Sequence, residues 1–146
     1  MRRFRKFLQL PGEDRKILLV CGAILVVARL SLWLLPFDIV RKLASRQKRG
    51  ARLTSESEAF VHKVSWAVSV IAASIRQLEN CLVQAVATQF LLRRHGEAAN
   101  LRIGVAKNNA EFKAHAWVEV NGNVVVGGSK GLSAFVPLPP LKEESR

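Results

Sequence analysis

Two cysteines and three histidines are all the thiol and imidazole groups that this 146-residue chain offers. Two thiols do not make a disulfide framework. Cys21 and Cys81 lie far apart in very different surroundings, so a reduced, cytoplasmic chain is the simpler reading. The few Cys and His residues also lack metal-ligand spacing, which leaves no case for a metal site or another cofactor. Acidic residues are scarce: 11 Asp and Glu face 23 Lys and Arg, a formal charge of +12. No zinc-finger spacing, glycine-rich phosphate loop or RNP-like aromatic pattern accompanies that charge, so nucleic acid is not the expected partner.

What the chain has is apolar surface and an uneven charge. Hydrophobic residues make up 49%, too many for a disordered protein and enough for a core in one domain of this length. Residues 1–53 hold thirteen Lys and Arg against three Asp and Glu, a net of +10, and the remainder holds ten against eight. The expected organisation is a basic, apolar helical segment over 1–53 and a core over 54–146. A basic segment of this kind suits an acidic partner or an anionic membrane surface.

Within that segment "ILLVCGAILVVARLSLWLLPF" follows a Pro11-Gly12 break and the helix-starting pair Glu13-Asp14. Its uninterrupted apolar part, residues 17–28, spans roughly 18 Å as a helix, short of a hydrocarbon core of roughly 30 Å. Extension to Phe37 reaches a spanning length but encloses Arg29, which the many Leu, Ile and Val residues could offset. A buried or partner-docked helix and a membrane-associated one both remain open. A secretory signal is disfavoured, because the run starts late and no small-residue cleavage site follows. Pro36 ends the helix, and "RKLASRQKRGAR" reads as a basic tail closing at Gly50.

The next helix is expected to open with a capping box, Ser55 as N-cap and Glu58 at N3. Its one-faced stripe is Phe60, Val61, Val64, Val68, Ile71, Ala72, Ile75 and Leu78, with His62 solvated beside it. After a break at 77–80 comes "CLVQAVATQFLLRRHG", with Leu82, Val83, Val86, Ala87, Phe90 and Leu91 as its buried face. Arg93, Arg94 and His95 complement its C-terminal dipole and Gly96 closes it. Thereafter the period changes to that of strands: "LRIGV", a loop "AKNNAEF", "KAHAWVEV", the turn Asn121-Gly122, and "NVVVG". The proline-rich tail "LSAFVPLPPLKEESR" reads as extended. The fold class is α+β, N-terminal helices followed by a small antiparallel sheet.

Asn80-Cys81 falls at a helix start, where the positive end of the macrodipole favours thiolate, the nucleophilic form. Cys21 is mid-helix among Leu, Val and Gly and reads as an inert core thiol. A thiolate needs a base within reach, and His115 is the histidine on a predicted strand. Strand alternation puts His115, Trp117 and Glu119 on one face and Ala114, Ala116, Val118 and Val120 on the other. Helix-start Cys followed by strand-borne His is the ordering of papain-like and transglutaminase-like thiol enzymes. The bland alternative is a core thiol and a hydrogen-bonded histidine that never meet.

"CLVQAVATQFLLRRHG", "LRIGV", "FKAHAWVEVNGNVVVGG" and "FVPL" together resemble the lasso-peptide leader peptidases, a branch of the bacterial transglutaminase-like superfamily, from about Cys81 to Leu138. "EDRKILLVCGAILVVARLSLWLLPF" is a looser match to that family's N-terminal helical region. The resemblance implies a papain-like or transglutaminase-like core and a cysteine peptidase that removes the leader from a lasso precursor peptide. It further implies that an ATP-dependent, asparagine-synthetase-like cyclase then closes the released core. Carried over, the nucleophile is Cys81 and the general base and acid is His115. The third member of the family's triad is an Asp roughly a dozen residues after the histidine. Here that place reads Val126-Gly127-Gly128-Ser129, without a carboxylate, so the third member is unknown.

If Asn121-Gly122 is a two-residue turn, Val120 pairs with Asn123 and His115 lies opposite Gly128. A main-chain carbonyl or the Ser129 hydroxyl is then the expected orienting group, since Glu119 sits roughly 13 Å along the strand. With its N-terminus given to helices, the chain is expected to work with a separate leader-recognition protein. Two other readings stand beside this one: another transglutaminase-like amide hydrolase, and a non-catalytic membrane-surface adaptor.

Overall fold

A computed structural model describes residues 9–45, 54–78, 80–108, 111–128 and 131–139. Four α-helices come first: α1 (Gly12–Leu34), α2 (Phe37–Ser45), α3 (Ser55–Ser74) and α4 (Cys81–Arg94). A four-stranded sheet follows, β1 (Ala99–Asn108), β2 (Glu111–Val120), β3 (Asn123–Val126) and β4 (Val136–Pro137), in the antiparallel order β3-β2-β1-β4. The α+β architecture is as the sequence indicates, and residues 46–53 of the basic tail lie outside the described residues.

Helix α4 is the axis of the fold. It packs against α1, α2 and α3 on one side and the sheet on the other, so it is buried nearly all round rather than along one stripe. Ala85, Thr88, Gln89 and Leu92 join Val83, Val86, Ala87 and Leu91 inside, while Leu82 and Phe90, expected inside, are half-buried. A central helix loses its polar face, which is why a single apolar stripe underestimates its burial. Leu25, Val64, Val68, Leu92 and Val118 are fully enclosed in this core. Each such side chain contributes about 1.5–3 kcal/mol.

Several local features differ from expectation. The N-cap of α3 is Thr54, not Ser55: its hydroxyl accepts the N–H of Ser57 at 3.3 Å, so Glu58 does not close a capping box. Ile75, placed on the buried stripe, is exposed because α3 ends at Ser74. The expected loop over 106–112 is largely strand, since β1 and β2 pair out to Asn108↔Glu111. Across that hairpin the Lys107 ammonium sits 5.8 Å from the Phe112 ring centroid. Other features agree. Asn121 (φ 50°) and Gly122 (φ 81°) form the turn between β2 and β3, and Gly96 (φ 99°) follows the His95 cap of α4.

Candidate active site

Asn80 fixes where α4 begins. Its side-chain oxygen accepts the N–H of Leu82 at 2.9 Å, leaving Cys81 as the first helical residue. Cys81 is half-buried and packs against the edge of the core. Cys21 is also a free thiol but is fully enclosed, and burial pushes it up from 9.0 to about 11. The two settings differ as the sequence suggests.

His115 projects from β2 on the face shared with Trp117 and Glu119, while Ala116, Val118 and Val120 enter the core. Its imidazole lies 6.3 Å from the Trp117 ring and 5.3 Å from Phe135, centroid to centroid. The indole is clamped in turn. Trp117 Nε1 donates to Glu119 Oε1 at 2.8 Å, and Arg102 Nε donates to Glu119 Oε2 at 3.2 Å. Gly104, paired with His115 across the ladder, makes room for it: a Cβ there would meet the indole at 2.8 Å. A glycine inside the strand "LRIGV" is the sequence signal for such a close approach.

The group that holds His115 is the main-chain carbonyl of Gly127, which accepts from Nε2 at 2.7 Å. A carbonyl can only accept, so Nε2 carries the proton and the neutral ring keeps its lone pair on Nδ1. That carbonyl arrives through a β-bulge. Val120 pairs with Asn123 and Glu119 with Val124, but Val118 pairs with Val126, leaving Val125 as the extra residue. The unbroken ladder that would set His115 opposite Gly128 does not form: the bulge shifts the register at Val125 and β3 ends at Val126, so the ladder does not extend to His115. The freed Val125 carbonyl is taken by the Ser65 hydroxyl of α3 at 2.6 Å. Gly127 then turns with φ 82°, its Cα close against β2: a Cβ there would lie 2.7 Å from the Ala116 carbonyl oxygen. Ser129, the other expected orienting group, lies outside the described residues.

Helix α4 packs on β2, the strand that carries His115, but His115 projects from the face opposite the core-facing Ala116, Val118 and Val120. The side chains of Cys81 and His115 share no hydrogen bond among the described residues.

A family profile described as the transglutaminase-like superfamily matches residues 22–139. The chain belongs to that superfamily. No curated protein and no solved structure matches it. The helices-then-sheet arrangement is consistent with the superfamily's papain-like fold, and membership points to cysteine-based amide chemistry of the peptidase or hydrolase type. The match also runs through α1 from Gly22, so the superfamily profile covers part of the apolar N-terminal helix as well as the sheet.

Proposed function

We propose that this transglutaminase-like protein is the cysteine peptidase that cuts the leader from a lasso-peptide precursor, with Cys81 as nucleophile and His115 as base and acid. The observation that supports it best is the anchored imidazole. Gly127 stands twelve residues after His115, where the resembled peptidases carry an Asp, and its carbonyl supplies the hydrogen bond that a carboxylate would make. The sequence blocks around Cys81 and His115 supply the substrate class.

In this reading Nδ1 of His115 takes the thiol proton, and the Cys81 sulfur attacks the scissile carbonyl. The backbone N–H of Cys81, at the start of α4, donates to the developing oxyanion. The imidazolium then protonates the departing amine as the C–N bond breaks, leaving a thioester on Cys81. His115 next deprotonates a water, which attacks the thioester, frees the leader carboxylate and returns the thiol. Gly127 keeps the ring oriented through both transfers. A separate leader-recognition protein brings the precursor to the site, raising its local concentration. The asparagine-synthetase-like cyclase consumes the freed amine terminus.

The test is precursor cleavage followed by mass spectrometry, with leader-recognition protein added. Cys81→Ala is expected to abolish leader removal with the fold intact, while Cys21→Ala turns over at near the parent rate. Equal loss in both variants, or none in Cys81→Ala, contradicts the assignment. The chain alone is expected to cut poorly, and full-rate cleavage without the second protein contradicts the partner.

A second reading, a non-catalytic membrane-surface adaptor, is favoured by the exposed apolar side chains of α1, Trp33 and Leu34 among them. It predicts that neither variant changes any amide-cleaving activity.

A further inference from the structure

One helix among the described residues, α1, is long and apolar enough by length and composition to cross a membrane. Its packing argues for a different placement. Leu18, Cys21, Leu25 and Ala28 line one side of α1 and are buried against α3 and α4. The opposite side is apolar and uncovered: Leu19, Val27, Leu30, Trp33 and Leu34 are 50–80% exposed, and Ile39 of α2 continues the patch at 44%. Between Leu19 and Leu34 the helix carries one charged residue, Arg29, and at 100° per residue it falls off the centre of the outward arc. A spanning pose would strip four residues from the core. A pose in the membrane plane leaves them packed.

Charge selects the partner. The basic residues of the N-terminal segment gather before and after the apolar run, Arg2, Arg3, Arg5, Lys6, Arg15 and Lys16 on one side and residues 41–52 on the other. A second copy of the chain would bring two such +10 segments together and is repelled. An exposed tryptophan beside leucines, flanked by cations, matches the interface of an anionic bilayer, where the ring sits at headgroup depth and Lys and Arg meet phosphate.

We infer that the outward face of α1, with Ile39, seats on an anionic lipid surface while its inner face stays in the core. The inference is independent of the thiol chemistry, so its failure leaves the peptidase assignment untouched.

The experiment is co-sedimentation of the full chain with phosphatidylcholine vesicles, with and without phosphatidylglycerol. Binding is expected with phosphatidylglycerol, to weaken as salt shortens the Debye length, and to be far weaker on phosphatidylcholine alone. The double variant Leu30→Ser/Trp33→Ser, whose sites lie outside the buried core, is expected to reduce partitioning roughly a hundredfold with an unchanged circular dichroism spectrum. Trp33 emission should shift to the blue on binding, and Trp33→Phe should remove the shift. Four results overturn the inference: no sedimentation with phosphatidylglycerol, equal salt-independent binding to both vesicles, resistance to alkaline carbonate extraction as a spanning helix shows, or a lipid-independent dimer that Leu30→Ser/Trp33→Ser abolishes.

Discussion

Cys21 and Cys81 are both free thiols on apolar helices that share one core, yet their surroundings diverge. Cys21 sits within α1, with helix on both sides and the cores of α3 and α4 against it. Cys81 is the first residue of α4, half-buried, with its helix running away from it. Burial sets Cys21 apart: enclosed in the core, its thiolate would lose its hydration. Cys81 instead sits where the backbone N–H groups of a helix lack intrahelical partners and the helix dipole is positive.

The sharpest way to break that contrast is to remove what it depends on at the Cys81 end. His115→Ala should lower leader cleavage by about 10²–10⁴-fold with the fold retained, the usual range for losing a general base. Turnover close to the parent rate would mean that Cys81 works without the imidazole, or does not work at all.

Gly127→Asp comes next, and it sets sequence logic against geometry. Placing a carboxylate where the resembled peptidases have one should improve the enzyme if chemistry alone decided. The structure forecasts the reverse. At φ 82° a side chain is strained, and its Cβ would press on the Ala116 carbonyl and on Trp117 Cα at 2.7 and 2.9 Å. A stability loss of about 1–3 kcal/mol is expected in urea unfolding, together with turnover lowered at least about tenfold. Equal or higher turnover would show that the loop relaxes and that the main-chain carbonyl is dispensable.

A smaller effect sharpens the Cys21 end. Burial holds its thiol at about 11 against an ordinary 9.0. The folded value lies above the unfolded one, so this contribution is fully present below pH 9 and is lost as pH rises through 11. At about 1.4 kcal/mol per unit, the loss on going from below about pH 8 to beyond about pH 11 is on the order of 3 kcal/mol. Urea midpoints of parent and Cys21→Ala, compared across that range, should converge as pH rises. Parallel curves would mean that Cys21 is accessible to water.

Much of this arrangement is legible in the sequence where one residue's chemistry dictates one conformation. Asn121-Gly122 demands a turn with two positive φ values, Asn80 caps a helix, and period-two alternation sorts His115 and Trp117 from Ala116 and Val118. The remainder depends on tertiary context. Polar Lys107, Asn108 and Glu111 read as loop because their ladder partners, not their propensity, make them strand. Helix α4 reads as one-faced because its sequence does not reveal that elements pack around it. The bulge at Val125 is invisible to alternation, since Ser65, sixty residues earlier, takes the carbonyl that the ladder gives up. A main-chain carbonyl as the orienting group of His115 is legible from the missing carboxylate around residues 126–129, whereas the choice of Gly127 depends on the bulge that alternation does not show.

Site-resolved alkylation tests the central claim most directly. The native chain is treated with iodoacetamide at neutral pH while leader cleavage is followed, and the modified cysteine is located by peptide mass spectrometry. The account predicts modification at Cys81 alone, activity falling in step with it, and labelling of Cys21 only after unfolding. Turnover that survives complete modification of Cys81, or labelling of Cys21 at the same rate in the native chain, would contradict it.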